Sequence, residues 1–344
     1  MASRTLLVTG GAGFIGARFV GHHLRHHPAD RLVVLDALTY AGSLENLARE
    51  TGGSDRVRFV HGSVRSPQIV ESVLAECDTV VHFAAETHVP RSISDSTIFF
   101  ETDVLGTQTL AALAVARAAR IERFVHVSSS EVYGTAVVDP MSEDHPLNPC
   151  TPYAAAKCAA DRLIHAFVTT YALPAVIVRP FNNYGPGQHL EKLLPRFITS
   201  ALRGDPLTVH GDGSAARDWV FVDDTCAAID RILEVPLGRV RGEVFNVGSG
   251  RATDVLTLAR QVLRLTGASP DLIVHTPDRP GQLQLHRADT TRAGERLGIE
   301  ASTPLARGLE ATVAWYREHR AWWERQLWMR SVPVVGADGR LTYW

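Results

Sequence analysis

The sequence predicts an α/β fold of the Rossmann type, with a doubly wound parallel sheet and a smaller C-terminal substrate-binding lobe. Two observations support this prediction. Short runs rich in Val, Ile and Leu alternate with helix-length segments through the first half of the chain, and a glycine-rich turn follows the first of these runs. Continuous apolar runs with helices between them are typical of a parallel sheet that is covered on both faces.

Each element of the first half follows from this alternation. Strands are predicted at Leu6–Thr9, Arg31–Asp36, Val57–Val60, Thr79–Phe83, Arg123–Val127 and Ala175–Arg179. Helices are predicted at about 13–26, at 98–117 and at 153–171.

After Asn182 the chain becomes richer in Pro, Gly, Asp and Arg, and its elements become shorter. We therefore expect residues 1–181 to form the first domain and residues 182–344 to form mainly the smaller lobe. The runs Asp218–Val222 and Glu243–Val247 resemble strands that return to the main sheet.

Composition and charge exclude several classes of protein. The chain has 344 residues, 45% of them hydrophobic and 21% charged, with a net charge of −2. We expect no nucleic-acid partner, because Lys and Arg are not clustered. We expect no membrane partner, because no apolar run reaches about 18 residues. No signal peptide is expected, and the four cysteines form no CxxC pair, which predicts a cytoplasmic protein with reduced thiols and no metal site.

A glycine motif opens the first predicted helix. Gly10, Gly13 and Gly16 have the spacing Gly-x-x-Gly-x-x-Gly directly after a strand, with Phe14 and Ile15 inside the motif. Such a turn lets a dinucleotide pyrophosphate approach the unpaired N–H groups of a helix N-terminus.

A carboxylate at the end of the second strand indicates which dinucleotide binds. Asp36 follows Gly16 by 20 residues. A carboxylate there accepts hydrogen bonds from a ribose 2′-hydroxyl and repels a 2′-phosphate, which predicts NAD rather than NADP.

Tyr153 and Lys157 are the predicted catalytic pair. Their spacing of four places both side chains on one face of a helix. A phenol with a pKa of about 10 is a poor base near neutral pH, so we expect the neighbouring ammonium to lower the pKa of Tyr153. Lys157 is also expected to bind the nicotinamide ribose.

The run Ser128-Ser129-Ser130-Glu131 follows the fifth strand, at the edge of the sheet that lines the active crevice. The hydroxyls of Ser129 and Ser130 are candidates for binding the reacting oxygen of the substrate. Glu131 adds a carboxylate that simple oxidation does not require. It is a candidate for abstracting a proton from carbon or for positioning a sugar hydroxyl, and a helix cap or a solvated acid is the alternative interpretation.

These motifs together resemble the extended short-chain dehydrogenases, and among them the dTDP-glucose 4,6-dehydratases. The resemblance runs nearly end to end. It is carried by Asp36–Asn46, Phe83–Val89 with Arg91-Ser92, Val104–Thr109, Phe181–Pro186, Glu191–Pro195, Arg217–Trp219, Phe245–Gly248 and Arg279–Gly281.

The resemblance implies a reaction and a site. Carbon 4 of a nucleotide-bound sugar is oxidised by bound NAD, water is eliminated across carbons 5 and 6, and hydride returns to carbon 6. It implies a homodimer through the helices near residues 98–117 and 153–171. It also implies that Ala84 binds the cofactor. The implied substrate-binding residues are Glu86, His88, Asn182, Glu191, Lys192, Arg217, Asn246 and Arg279.

Four positions depart from the dehydratase pattern. Ser130 stands where the dehydratases have the aspartic acid that protonates the leaving hydroxyl. Ser63 and Pro90 each replace an aspartate, and Asp103 replaces an asparagine.

These departures leave four hypotheses open. Glu131 could serve as both base and acid in a dehydratase, as in the GDP-mannose 4,6-dehydratases. The protein could instead be a nucleotide-uronic acid decarboxylase or a nucleotide-sugar 4-epimerase. The alternative from another class is an NAD-binding sensor or scaffold, which the intact Tyr153 and Lys157 pair argues against.

Overall fold

A seven-stranded parallel sheet is the centre of the molecule. The computed structural model describes residues 3–117, 120–277, 283–330, 333–335 and 341–343. The strands of the sheet lie side by side in the order Val244–Val247, Ala175–Pro180, Arg123–Val127, Thr79–His82, Thr5–Thr9, Arg31–Asp36 and Val57–His61. The order along the chain reverses between Thr5–Thr9 and Thr79–His82. This doubly wound arrangement confirms the predicted fold class.

The strands and helices have the following bounds. The strands are β1 (Thr5–Thr9), β2 (Arg31–Asp36), β3 (Val57–His61), β4 (Thr79–His82), β5 (Arg123–Val127), β6 (Ala175–Pro180), β7 (Asn182–Tyr184), β8 (Leu207–His210), β9 (Ala216–Phe221), β10 (Val244–Val247), β11 (Ala252–Asp254), β12 (Ile273–Thr276), β13 (Leu285–His286), β14 (Pro333–Val335) and β15 (Leu341–Tyr343). The helices of seven or more residues are Phe14–His26, Leu44–Thr51, Pro67–Leu74, Thr97–Ala116, Pro152–Tyr171, Leu193–Arg203, Val222–Glu234, Val255–Thr266, Thr291–Leu297 and Leu305–Glu318.

The apolar runs are continuous because both faces of the sheet are buried. Leu6 and Val8 of β1 pack in the core on one face, and Leu7 packs in the core on the other. All three side chains are fully buried. Successive side chains of a strand point to opposite faces, so a sheet covered twice requires apolar residues at every position.

Only one of the two late strands returns to the main sheet. Val244–Val247 pairs with β6, as predicted. The prediction for Asp218–Val222 is wrong, because Ala216–Phe221 belongs to a separate small sheet with β7, β11 and β13. The carboxylate of Asp218 fixes it there by accepting hydrogen bonds from the backbone N–H groups of Ser249, Gly250 and Ala288, at 2.7, 2.8 and 3.1 Å.

The spatial units therefore do not divide at residue 181, because part of the later chain packs in the core of the first domain. The helix Val222–Glu234 contributes Cys226, Ile229 and Leu233 to the same core as Leu6 and Val8. The smaller lobe has its own apolar core, which includes Trp322 and Trp323.

Among the described residues, one helix is long and apolar enough to cross a membrane by length and composition. It is Thr97–Ala116, with a mean hydropathy of 1.2. The helix contains a π-helical stretch, Phe100–Gly106. It packs against Pro67–Leu74 and Pro152–Tyr171 within the domain, as helices that cover a sheet do. The absence of a membrane partner stays a prediction.

The helix Pro152–Tyr171 carries the predicted catalytic pair and is called the catalytic helix below; it begins at a well-formed cap. The Thr151 hydroxyl accepts a hydrogen bond from the Ala154 backbone N–H at 3.2 Å, and Pro152 occupies the first helical position. This start places Tyr153 in the first turn and Lys157 one turn later, at the edge where the parallel strands end.

Candidate functional site

A cavity of about 1160 Å³ lies at the carboxyl edge of the main sheet and extends to the smaller lobe. It brings together most of the residues that the sequence singles out. Its lining includes Gly10, Gly13, Phe14, Ile15, Gly16, Asp36, Ala84, Glu86, His88, Ser129, Ser130, Glu131, Tyr153, Lys157, Asn182, Glu191, Lys192 and Arg217. Carboxyl ends of parallel strands share one edge, so loops distant in sequence meet there.

The glycine turn leaves room for a ligand at the N-terminus of the first helix. Gly10 has φ +69°, and a Cβ atom there would lie 2.6 Å from the backbone nitrogen of Ala84. The helix Phe14–His26 starts after Gly13, with no side-chain cap on its first N–H groups. Free N–H groups and the positive end of the helix dipole suit a pyrophosphate, so these residues fit a dinucleotide.

Asp36 is positioned by the backbone around it. Its carboxylate oxygens accept hydrogen bonds from the N–H groups of Ala12 at 2.9 Å and Leu38 at 2.8 Å. Burial raises the pKa of Asp36, and these hydrogen bonds act in the opposite direction. Each carboxylate oxygen can accept more than one hydrogen bond, so Asp36 retains the capacity to bind ribose hydroxyls.

Lys157 is anchored behind the site. Its Nζ donates a hydrogen bond to the Val127 carbonyl oxygen at 2.8 Å, and the side chain is buried. Burial lowers the pKa of Lys157, while the negative charges of Asp103 and Asp161 act in the opposite direction. The ammonium is therefore held at the end of β5, close to the reacting region.

Tyr153 differs from the sequence-based expectation in one respect. Its pKa is raised rather than lowered, because burial disfavours the phenolate. Hydrogen bonds from the Ser129 and Thr87 hydroxyls favour the phenolate, whereas Asp103 and Glu131 disfavour it. In this environment the neutral phenol is favoured over the phenolate.

The three residues after Ser128 have different positions. Ser129 caps the 3₁₀ helix Ser130–Tyr133, and its Oγ accepts a hydrogen bond from the Glu131 N–H at 3.2 Å. Ser129 also reaches the Tyr153 phenol, while Ser130 is 2% exposed at the cavity wall. Glu131 lines the cavity and is partly exposed, and its negative charge acts to raise the pKa of both Tyr153 and His286.

Glu191 is the centre of another polar group in the cavity lining. Its Oε1 accepts a hydrogen bond from the Tyr40 hydroxyl at 3.0 Å and lies 3.3 Å from the Lys192 ammonium. Burial alone would raise the pKa of Glu191, but the positive charge of Lys192 brings it below its ordinary value. Burial also lowers the pKa of His88 to about 3, so His88 is neutral.

One predicted substrate residue, Asn246, does not join the site. Asn246 is fully buried and does not line the cavity. Its amide Nδ2 donates to the Met141 carbonyl oxygen at 2.9 Å, and its Oδ1 accepts from the Tyr133 hydroxyl at 2.6 Å, which is a structural position. Arg279 lies outside the described residues.

The sequence motifs predict no role for Tyr40 or Thr87, and Asp103 stands out only as a departure from the dehydratase pattern. Tyr40 contacts Glu191 and stacks under the Arg91 guanidinium, 4.1 Å from the ring centroid. Thr87 bonds both Tyr153 and Lys192. Tyr40 and Thr87 lie in segments that carry the family resemblance, which was the available signal for their position at the site.

In the part of the chain that the structure describes, two side-chain groups have the spacing of metal ligands. They are His23 with His27 and Asp30, and His27 with Asp230 and Glu234, and none of these residues lines the cavity. Asp230 accepts hydrogen bonds from His23 at 2.6 Å and from His27 at 2.7 Å. The expectation that the protein needs no metal stays a prediction.

Comparisons with known proteins cover most of the chain. Residues 6–248 match the model of the NAD dependent epimerase/dehydratase family. A dTDP-glucose 4,6-dehydratase from Streptomyces niveus is 44% identical over 323 residues, which cover 93% of this chain and 94% of the relative.

Solved structures give the same result. A dTDP-glucose 4,6-dehydratase from Streptomyces venezuelae, crystallised with NAD, has a TM-score of 0.88 and 43% identity, covering 93% of this chain and 99% of the other. A UDP-glucose 4-epimerase from Thermotoga maritima, crystallised with UDP-glucose, has a TM-score of 0.84 and 30% identity, covering 91% of this chain and 99% of the other.

The first prediction concerns Asp36. We expect Asp36→Asn to weaken NAD binding by about tenfold or more, because it removes a charged acceptor from the ribose hydroxyls. NADP should lose less, because the repulsion of its 2′-phosphate also disappears. Titration of the dinucleotide-free protein with both cofactors measures the change, and Asp55→Asn on an exposed loop is the matched control. An unchanged NAD/NADP preference would contradict the role of Asp36.

Proposed function

The chain belongs to the NAD dependent epimerase/dehydratase family, and we propose that it is a nucleotide-sugar 4,6-dehydratase that acts on a dTDP-glucose-like substrate. The observation that carries this proposal is the position of Glu131 on the same cavity wall as Tyr153 and Lys157. Oxidation at carbon 4 needs only the tyrosine and the lysine. A carboxylate beside them provides the additional proton transfer that elimination requires.

Tyr153 is assigned to the sugar 4-hydroxyl. When bound at the glycine turn, NAD supplies the hydride acceptor for carbon 4. Tyr153 removes the hydroxyl proton, and Ser129 hydrogen-bonds the phenol oxygen that receives it. Because burial raises the pKa of Tyr153, the Lys157 ammonium is needed to stabilise the phenolate.

Glu131 is assigned to the elimination. Its carboxylate removes the proton from carbon 5, which the neighbouring ketone has made acidic. The same carboxyl then protonates the hydroxyl that leaves carbon 6 as water. A serine hydroxyl is a much weaker acid than a carboxyl, so Ser130 does not replace the acid that its position carries in the dehydratases.

The nucleotide and diphosphate are assigned to the polar part of the cavity lining. Lys192, Arg217 and Asn182 all line it, and each offers donors that suit phosphate oxygens. The Lys192 ammonium donates to the Thr87 carbonyl oxygen at 2.7 Å, which directs it toward the same region as Tyr153.

The departure at Ser130 supports a second candidate, a nucleotide-uronic acid decarboxylase. After oxidation at carbon 4 a uronic acid is a β-keto acid, which loses carbon dioxide without an acid for carbon 6. A 4-epimerase would use Tyr153, Lys157 and Ser129 and would leave Glu131 without a role.

We also propose that the protein is a homodimer through the helix Thr97–Ala116 and the catalytic helix. Ile98, Phe100 and Leu105 are 38%, 41% and 57% exposed on the first helix, and Tyr171 is 55% exposed on the second. Several large apolar side chains exposed on adjacent helices are typical of an interaction surface. The cytoplasmic location stays a prediction from the sequence.

The second prediction identifies the reaction. The purified protein is incubated separately with dTDP-glucose, UDP-N-acetylglucosamine and UDP-glucuronate, and the products are analysed by mass. We expect one substrate to lose one water. Loss of carbon dioxide would instead show a decarboxylase, and an isomer of unchanged mass would show an epimerase.

Tyr153→Phe should abolish turnover while NAD binding survives, and Tyr171→Phe on the same helix is the matched control. Full activity of Tyr153→Phe would refute its assignment.

The third prediction separates Glu131 from Ser130. Glu131→Gln should lower the rate of water loss by about 10²–10⁴-fold, because the amide can neither accept nor return the proton. Ser130→Ala should stay within about tenfold of the wild type, because its hydroxyl carries no proton-transfer step. Product analysis by mass gives both rates. The reverse order of the two effects would make Ser130, not Glu131, the group that serves the leaving hydroxyl.

The fourth prediction tests the dimer. Leu105→Arg should convert the protein to a monomer, because it places a charge in the apolar contact. Light scattering after size-exclusion chromatography measures the mass. Val274→Arg is the matched control, since Val274 is 44% exposed on the smaller lobe. A wild-type monomer, or a Leu105→Arg dimer, would contradict the proposed interface.

A further inference from the structure

A buried carboxyl lies directly behind the catalytic pair. Asp103 is in the π-helical stretch Phe100–Gly106 and is 1% exposed. Its Oδ1 accepts a hydrogen bond from the Glu86 backbone N–H at 2.7 Å. Its Oδ2 is buried and has no hydrogen-bond partner among the described residues.

Charged and titratable groups face Asp103 from two other segments. The positive charge of Lys157, on the catalytic helix, acts to lower the pKa of Asp103. The negative charge of Glu86, on the loop after β4, acts to raise it. The negative charge of Asp103 in turn acts to raise the pKa of Tyr153. The Asp103 carbonyl oxygen accepts a hydrogen bond from Thr107, whose hydroxyl also bonds His82 of β4.

The surroundings of Asp103 favour its neutral form. A buried carboxylate with a single hydrogen bond and no close ion pair is costly, and protonation removes this cost. Burial raises the pKa of Asp103 to about 7, although Lys157 and the Glu86 N–H act in the opposite direction. A neutral carboxylic acid has nearly the shape of an asparagine amide, with one acceptor and one donor group.

We propose that Asp103 is a positioning residue for Tyr153 and Lys157, and that the enzyme is active when the Asp103 carboxyl is protonated. This inference rests on the proposed function. The neutral carboxyl holds the Glu86 backbone, and with it the loop that carries Thr87 to the phenol of Tyr153. The ionised carboxylate adds negative charge beside the phenol, which opposes formation of the phenolate, and it competes for the Lys157 ammonium.

The fifth prediction compares the pH dependence of turnover in the wild type and in Asp103→Asn. The amide keeps the shape and the acceptor but never ionises. The rate of Asp103→Asn divided by the wild-type rate should therefore rise by about tenfold between about pH 6 and about pH 8.5, which corresponds to about one unit in the pKa of Tyr153. Glu101→Gln, on the same helix but outside the cavity lining, is the matched control and should keep the wild-type profile.

Thermal unfolding tests the ionisation independently of any substrate. The folded-state pKa of Asp103 lies above that of an aspartate in the unfolded chain, about 3.9. As the pH rises, the unfolded chain loses this proton first, so the wild type loses stability relative to Asp103→Asn from about pH 4 to about pH 7 and the difference then stays constant. The Glu101→Gln variant should not show this change.

The outcomes separate the two levels of inference. A rate ratio that does not change with pH overturns the positioning role, even where the unfolding difference appears. A folded, NAD-binding Asp103→Asn without activity at any pH overturns it too, because the neutral amide should replace the neutral acid. A constant unfolding difference overturns the protonated state. Absence of wild-type turnover with every nucleotide sugar contradicts the proposed function instead, and the unfolding experiment then decides alone on Asp103.

Discussion

Arg179 of β6 and Asp161 of the catalytic helix form a buried ion pair that ties the sheet to the helix. The guanidinium Nε and Nη2 donate to the carboxylate at 2.9 and 3.0 Å, and the side chains are 2% and 0% exposed. Burial alone would raise the pKa of Asp161, but Arg179 brings it to about 2. An unpaired charge at this depth costs several kcal/mol, so the helix cannot slide along the sheet without breaking the pair. The register of Tyr153 and Lys157 against β5 depends on this constraint.

Burial of the site residues also shifts their pKa values. Burial lowers the pKa of Lys157 and raises those of Tyr153, Glu86 and Asp103. In each case water that would stabilise the ion has been replaced by protein. Interactions between charges are stronger in such surroundings, so a charge placed beside the phenol has a larger effect there than it would have in water. Reactivity at Tyr153 is therefore a property of its neighbours.

The similarity to both the dehydratases and the epimerases divides the site residues into two groups. In the proposed function the glycine turn, Asp36, Tyr153 and Lys157 serve the oxidation, which dehydration and epimerisation share. In the same proposal Glu131 acts on the oxidised sugar, and beside it, at Ser130, the chain differs from the dehydratase pattern. Ser129 hydrogen-bonds Tyr153, while Glu131 faces the cavity. The run after β5 therefore contributes residues to both groups.

The sequence by itself determined the features that depend on local order. The glycine turn, the Tyr153 and Lys157 spacing and the strands through residue 180 are set by neighbouring residues and by the period of the apolar pattern. Tertiary structure decided the rest. Asn246 lies away from the site, and β9 joins the small sheet because Asp218 binds backbone groups from two distant loops. The direction of the Tyr153 pKa shift also depends on burial by segments far apart in the chain, and burial is a sum over the whole fold that no local pattern records.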